Sequence, residues 1–136
     1  MCITIRGEKM IIEIDTKSEI PIYTQLVFQI KKGIYKGKLK PGDSLPSVRS
    51  LAGDIGINLH TVNKAYKKLV TEGAVIQVKK GYEISRNAPP KISREYNIEL
   101  EMQVENLLID AGVYGLDLKE VMERVGNKLE GVDRDD

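Results

Sequence analysis

Between residues 47 and 81 the chain carries Ser47, Arg49, Asn58, His60, Thr61, Asn63, Lys64, Lys67, Lys79, Lys80 and Gly81. The chemistry of such a set is recognition rather than bond-making. Amide, hydroxyl and imidazole groups exchange hydrogen bonds with base edges or phosphates, and guanidinium and ammonium groups neutralise a polyanion. No catalytic set can be assembled beside them. There is one histidine, one cysteine at Cys2 and no glycine-rich phosphate loop. A lone histidine is also a poor metal site, because zinc usually takes about four ligands. The residues therefore imply neither an enzyme nor a cofactor.

Charge supports a polyanionic partner. The formal net charge of +1 hides a split. Residues 1–90 hold 15 Lys and Arg against 8 Asp and Glu, whereas residues 91–136 hold 6 against 12. A basic half facing a polyanion and an acidic half with another task is one reading, and two solvated surfaces that happen to differ is the other. No apolar run approaches the ~20 residues of a membrane span, and residues 1–10 lack the apolar stretch of a secretory signal. One cysteine allows no internal disulfide and fits a reducing, cytoplasmic setting.

The elements that must position these side chains can be read from periodicity and caps. Met10 to Asp15 reads as a short strand or extended lead-in. Pro21 suits a helix's first turn, and Tyr23, Leu26, Val27, Ile30 and Ile34 follow at helical spacing, predicting a helix over 21–36. Ser47 caps a second, short helix with Val48, Leu51, Ala52 and Ile55 inward, ended by Gly56. Asn58 caps a third helix with Val62, Ala65, Tyr66 and Leu69 on one apolar face. This is a helix-turn-helix arrangement, and glycine at the turn accepts positive φ at no steric cost. Residues 74–78 and 82–85 are β-prone around Lys79-Lys80-Gly81, a hairpin signal.

Asn87-Ala-Pro-Pro90 marks a boundary. It divides an expected DNA-binding domain at 10–88 from a two-helix tail at 91–130. Tyr96, Leu100, Val104, Leu107, Leu108 and Ala111 trace one tail stripe, and Leu118, Val121, Met122, Val125 and Leu129 another. Residues 112–115 are expected to separate the two helices, Asp117 and Glu120 make a capping-box-like start, and residues 131–136 are expected to fray. Two long apolar faces could pack back on the first domain in a monomer, but they need cover along their length, and a second copy supplies it through two-fold symmetry. Leu100, Val104, Leu107, Leu108, Val121, Met122 and Val125 are therefore the candidate dimer contacts. The fold class is mostly α with a small β-hairpin, followed by a C-terminal helical hairpin for dimerisation.

Pro21-Ile-Tyr23 with Gln25-Leu26, Leu39 to Asp43, Leu45-Pro-Ser-Val-Arg49, Leu51-Ala52, Thr61-Val62 and Ala65-Tyr66 together resemble the GntR family of bacterial regulators. The resemblance covers residues 10–86, and the short tail is similar to the YtrA-type branch. It implies a winged helix-turn-helix bound to operator DNA as a homodimer, with a recognition helix at 58–72, a wing at 78–83 and repression as the default. Arg49 matches the family's DNA-contacting arginine, Asn58, His60, Thr61 and Asn63 match the recognition tip, and Lys79 to Gly81 match the wing. This wing is shorter than the Gly-x-Gly-Thr type, and Leu59 stands where some relatives have arginine. Met10 onward resembles the usual start of the branch, so residues 1–9 read as an upstream-start extension.

Other readings stay open at this stage. Arg49 could pair with Asp43 or Asp54 on the surface. Asn63, Lys64 and the Lys79-Lys80 tip could be merely solvated, and Tyr23 and Tyr66 could be core or stacking residues, with core favoured by their stripes. A winged helix can also serve as a protein-interaction module. The resemblance implies an effector, but the tail leaves little room for a buried pocket of the usual ~300–1,000 Å³; an unidentified small ligand could sit at the dimer interface or between tail and winged domain.

Overall fold

Ser47 and Asn58 start the two helices on which the fold is centred. The computed structural model describes residues 2–5 and 8–134, with side chains from 12 to 131. In chain order the elements are β1 (Cys2–Ile5), β2 (Glu8–Ile11), α1 (Ile22–Tyr35), α2 (Val48–Ile55), α3 (Leu59–Glu72), β3 (Val75–Val78), β4 (Gly81–Ile84), α4 (Arg94–Tyr114) and α5 (Leu118–Arg134). The chain divides into two compact units, Met1–Tyr96 and Asn97–Asp136.

In the first unit the caps work as their chemistry dictates. The Ser47 hydroxyl accepts from the Ser50 N–H at 3.0 Å, and the Asn58 side-chain Oδ1 accepts from the His60 N–H at 2.7 Å. Each satisfies a backbone donor that the first helical turn leaves without a partner. Gly56 closes α2 in the left-handed region, at φ 69° and ψ 34°. Its Cβ-free backbone lets the chain turn from α2 to the Asn58 cap within two residues.

Both α1 and α2 pack against α3. Leu26, Val27 and Ile30 of α1, Leu51, Ala52 and Ile55 of α2, and Val62, Ala65, Tyr66 and Leu69 of α3 meet in one core with Val75 and Ile84 of the hairpin. A Leu or Ile buried to this degree contributes roughly 1.5–3 kcal/mol, so the apolar face of α3, which all its neighbours share, holds the unit together. β3 and β4 pair antiparallel, with Val75 opposite Ile84 and Val78 opposite Gly81, leaving Lys79 and Lys80 as the two-residue turn. A bridge between Ser44 and Glu83 ties this hairpin to the segment entering α2.

One expectation changes here. The strand lies earlier than residues 10–15: β2 ends at Ile11 and pairs with β1, Cys2 opposite Ile11. Residues 12–15 lie outside the ladder, as the extended lead-in that the sequence also allowed, and Ile12 is 1% exposed in the core. Arg6 and Gly7 of the presumed extension, and Met1, lie outside the described residues.

In the second unit α4 does not break at Gly112. It runs on to Tyr114, and the chain turns at Gly115 with the Leu116 N–H donating to the Ala111 carbonyl at 3.0 Å. Glycine is tolerated inside a helix at a cost of about 1 kcal/mol, and it is Gly115 that takes positive φ, 63°. The Asp117 carboxylate caps α5 by accepting from the Glu120 N–H at 3.2 Å. α5 continues through Arg134, past the Gly131 from which fraying is expected. Asp135 and Asp136 lie outside the described residues. No described residue from 97 to 131 is buried.

Candidate nucleic-acid interface

The side chains expected to form a recognition tip stand on α3 opposite its buried face. Val62, Ala65, Tyr66 and Leu69 are each 0% exposed, so the helix can present only its other side. Asn58, His60, Lys64 and Lys67 are exposed there, and Thr61 and Asn63 are half-buried. Ser47 and Arg49 are exposed at the start of α2, Lys79 and Lys80 are exposed at the hairpin turn, and Gly81 beside them is half-buried. Among the described residues, Arg49 makes no ion pair with Asp43 or Asp54.

Several of these side chains already have work inside the fold. The Asn58 Oδ1 is occupied by the cap, which leaves the side-chain N–H₂ to face a partner. The Ser47 oxygen likewise accepts a cap bond, while its O–H can still donate to a phosphate. The Lys64 ammonium lies 4.0 Å from the centre of the Tyr23 ring, over its face. Tyr23 of α1 therefore belongs beside this surface, and its place on an apolar stripe gave no sign of the lysine.

Tyr66 is a core residue. Its ring packs edge-on against Tyr82, with centroids 5.0 Å apart and planes at 70°. Its hydroxyl donates to the Pro46 carbonyl at 2.8 Å. Burial, and secondly the neighbouring Tyr82, push the Tyr66 hydroxyl well above the usual tyrosine range. The Leu45 N–H donates to the Tyr82 carbonyl at 2.9 Å. α3, the β3–β4 hairpin and the approach to Ser47 thus meet at two tyrosines.

The tail residues expected to form a dimer contact are uncovered within the chain. Leu100, Val104, Leu107, Leu108, Met122 and Val125 are exposed and Val121 is half-buried. α4 also carries a second apolar row that the first stripe obscured. Ile98, Met102, Ile109 and Val113 are all exposed, and at 100° per residue they fall on the side of the helix opposite Leu100, Val104 and Leu107. Their spacing of four, seven and four was available in the sequence.

A buried-faced helix-turn-helix with a polar outer tip and a lysine-tipped hairpin defines a winged-helix DNA-binding regulator. The comparisons agree. Residues 22–82 match the model of the bacterial regulatory proteins of the gntR family. The HTH-type transcriptional repressor YtrA of Bacillus subtilis (strain 168) is 42% identical over 113 residues, spanning 82% of this chain and 87% of that protein. YtrA from Sulfolobus acidocaldarius, a GntR-family transcription factor, matches with TM-score 0.59 and 42% identity over 73% of this chain and 98% of its own. A transcriptional antiterminator from Listeria monocytogenes EGD-e matches with TM-score 0.75 and 32% identity over 87% of this chain and 89% of its own. The DNA-binding domain of AraR in complex with operator ORX1 matches with TM-score 0.50 and 26% identity over 54% of this chain and 96% of its own. The chain belongs to the gntR family of bacterial regulatory proteins, and within it to the YtrA-like branch. Among the described residues no group of acidic, histidine or cysteine side chains could hold a metal ion, and no helix is long and apolar enough to cross a membrane.

Proposed function

We propose that two copies of this chain bind a pseudo-palindromic operator in the cytoplasm and repress transcription from it. The observation that carries the reading is the two-sidedness of α3. A face buried to 0% exposure fixes the helix, and its opposite face ends in amide, imidazole, hydroxyl and ammonium groups with no apolar competitor except Leu59. The tip of α3 enters the major groove, Arg49 and Ser47 reach the flanking backbone or a base edge, and Lys79 and Lys80 contact phosphate. The name of the Bacillus relative, a repressor, and the operator bound to AraR support this direction.

The tail supports the dimer. An apolar row left open along α4, and another along α5, costs solvation until a partner covers it. A second copy is always present at matching concentration and gives a closed two-fold contact. Two recognition helices would then meet successive major grooves about 34–36 Å apart. The test is a titration of the full chain against DNA from its own promoter and against scrambled DNA, over a range of salt, with light scattering to fix the mass of the free protein. Equal affinity for both DNAs would sink the operator reading, and a monomeric mass would sink the dimer.

A further inference from the structure

Residues 91–96 connect the end of the wing to the body of α4, and they are fastened to the C-terminal end of the recognition helix. Gly73 ends α3 at φ 97°, and a Cβ placed there would overlap the Lys91 carbonyl oxygen. The Ser93 N–H donates to the Glu72 carbonyl at 3.3 Å. The Glu72 carboxylate, 6% exposed, pairs with the Lys31 ammonium of α1, and that ammonium also stands 4.9 Å from the centre of the Tyr96 ring, over its face. Lys68 lies 3.9 Å from the second Glu72 oxygen. A buried carboxylate is costly unless it is paired, so Lys31 is held in place, and Lys31 in turn holds Tyr96. None of these contacts adds to the DNA-facing surface.

We infer that this fastening sets operator spacing. Gly73, Glu72, Lys31 and Tyr96 are positioning residues that decide which separation of two half-sites the protein accepts. The inference rests on the dimer reading above. Residues 91–96 are part of the only covalent path from the reading head to the tail. A head on a loose path meets half-sites at many separations, because a flexible chain samples many end-to-end distances. A head whose path is packed against α3 and α1 meets them at few. Recognition of one half-site depends on the α3 tip and is untouched by the fastening.

The experiment uses the full chain and its Gly73→Ala, Tyr96→Ala and Tyr96→Phe variants. Wild type first selects its two-half-site motif from random-sequence duplexes. All four proteins are then titrated against duplexes whose spacer is changed one base pair at a time, and against a duplex with a single half-site. Wild type and Tyr96→Phe, which keeps the ring over Lys31, should lose about tenfold or more away from the best spacer, a loss of roughly one unit in log Kd. Tyr96→Ala and Gly73→Ala should flatten that profile to within about threefold while binding the single half-site as wild type does. Unchanged sharp profiles in both variants would overturn the inference, as would a loss on the single half-site equal to the loss on the pair. If Gly73→Ala fails to fold, Tyr96→Ala decides, since its side chain is half-exposed. Selection of a lone half-site by a monomeric wild type would instead overturn the dimer reading, and this inference with it.

Discussion

The Tyr66 hydroxyl reaches back twenty positions to donate a 2.8 Å hydrogen bond to the carbonyl of Pro46, the residue before the Ser47 cap. Tyr66 thereby joins the core of the recognition helix to the start of the helix that carries Arg49. The ring of the same residue meets Tyr82 of the wing edge-on. The relative placement of Arg49, the α3 tip and the lysine turn therefore depends on the pairing of buried Tyr66 with half-buried Tyr82. A shift in Tyr66 would misplace side chains it never touches.

Replacing Tyr66 with phenylalanine keeps the ring and removes the hydroxyl. The Pro46 carbonyl then loses its partner. The net worth of such a bond is about 0.5–1.5 kcal/mol, with more lost if the carbonyl stays dry. Urea denaturation at neutral pH should show Tyr66→Phe less stable by that amount with an unchanged slope. Wild-type stability in the variant would mean that water replaces the hydroxyl at no cost.

The same hydroxyl makes a pH prediction. Its pKa is raised in the folded state, first by burial and then by Tyr82. An unfolded tyrosine ionises near ~10. The folded state therefore holds the proton where the unfolded chain releases it. The stability this contributes is fully present below about pH 10 and is lost as pH rises beyond it. The gap between wild type and Tyr66→Phe should accordingly narrow above that pH. A gap constant from neutral to strongly alkaline pH would refute the linkage.

Lys64 over the Tyr23 ring predicts an energetic coupling between two helices. A cation above an aromatic face at a partly exposed site is worth about 0.5–1 kcal/mol. A double-mutant cycle built from Tyr23→Leu and Lys64→Met should return a coupling of that order in thermal or chemical denaturation without DNA. Zero coupling would leave the Lys64 ammonium free to serve phosphate alone.

Much of the fold was legible because its signals are local. Ser47 and Asn58 have short polar side chains that cap helices, Gly56 and Gly73 tolerate left-handed backbone, and the 3.6-residue period of Val62, Ala65, Tyr66 and Leu69 marks one face. Each of these acts within a turn or two of itself, so a linear reading finds it. Contacts between distant positions left no such trace. Lys31 and Glu72 pair from different helices, and nothing near either residue in the chain announces the other. Tyr23 reads as a core aromatic, and only packing shows that a recognition-helix lysine uses its face. The N-terminal pairing of β1 with β2 was missed because each strand is four residues long, too short to show alternation. The break between α4 and α5 was read as residues 112–115 because two glycines compete for it, and only backbone geometry shows that of these Gly115 alone lies outside α4, with positive φ.

The short wing and Arg49 can be told apart by what each does to salt dependence and to specificity. Lys79 and Lys80 form the whole of a two-residue turn, and both are exposed. As phosphate contacts they release counterions on binding, and each should add about one unit to the slope of log K against log salt. Lys79→Gln and Lys80→Gln should each lower that slope by about one and weaken operator and scrambled DNA alike. Arg49 has a fork of donors suited to guanine and no ion pair among the described residues to hold it back. If it reads a base, Arg49→Ala costs about 1–3 kcal/mol on operator and far less on scrambled DNA. The slopes and the operator-to-scrambled ratio come from one set of titrations on three variants. A lysine variant that changes the ratio but not the slope would move the wing from phosphate contact to base readout, and an Arg49→Ala loss equal on both DNAs would assign the arginine to the backbone.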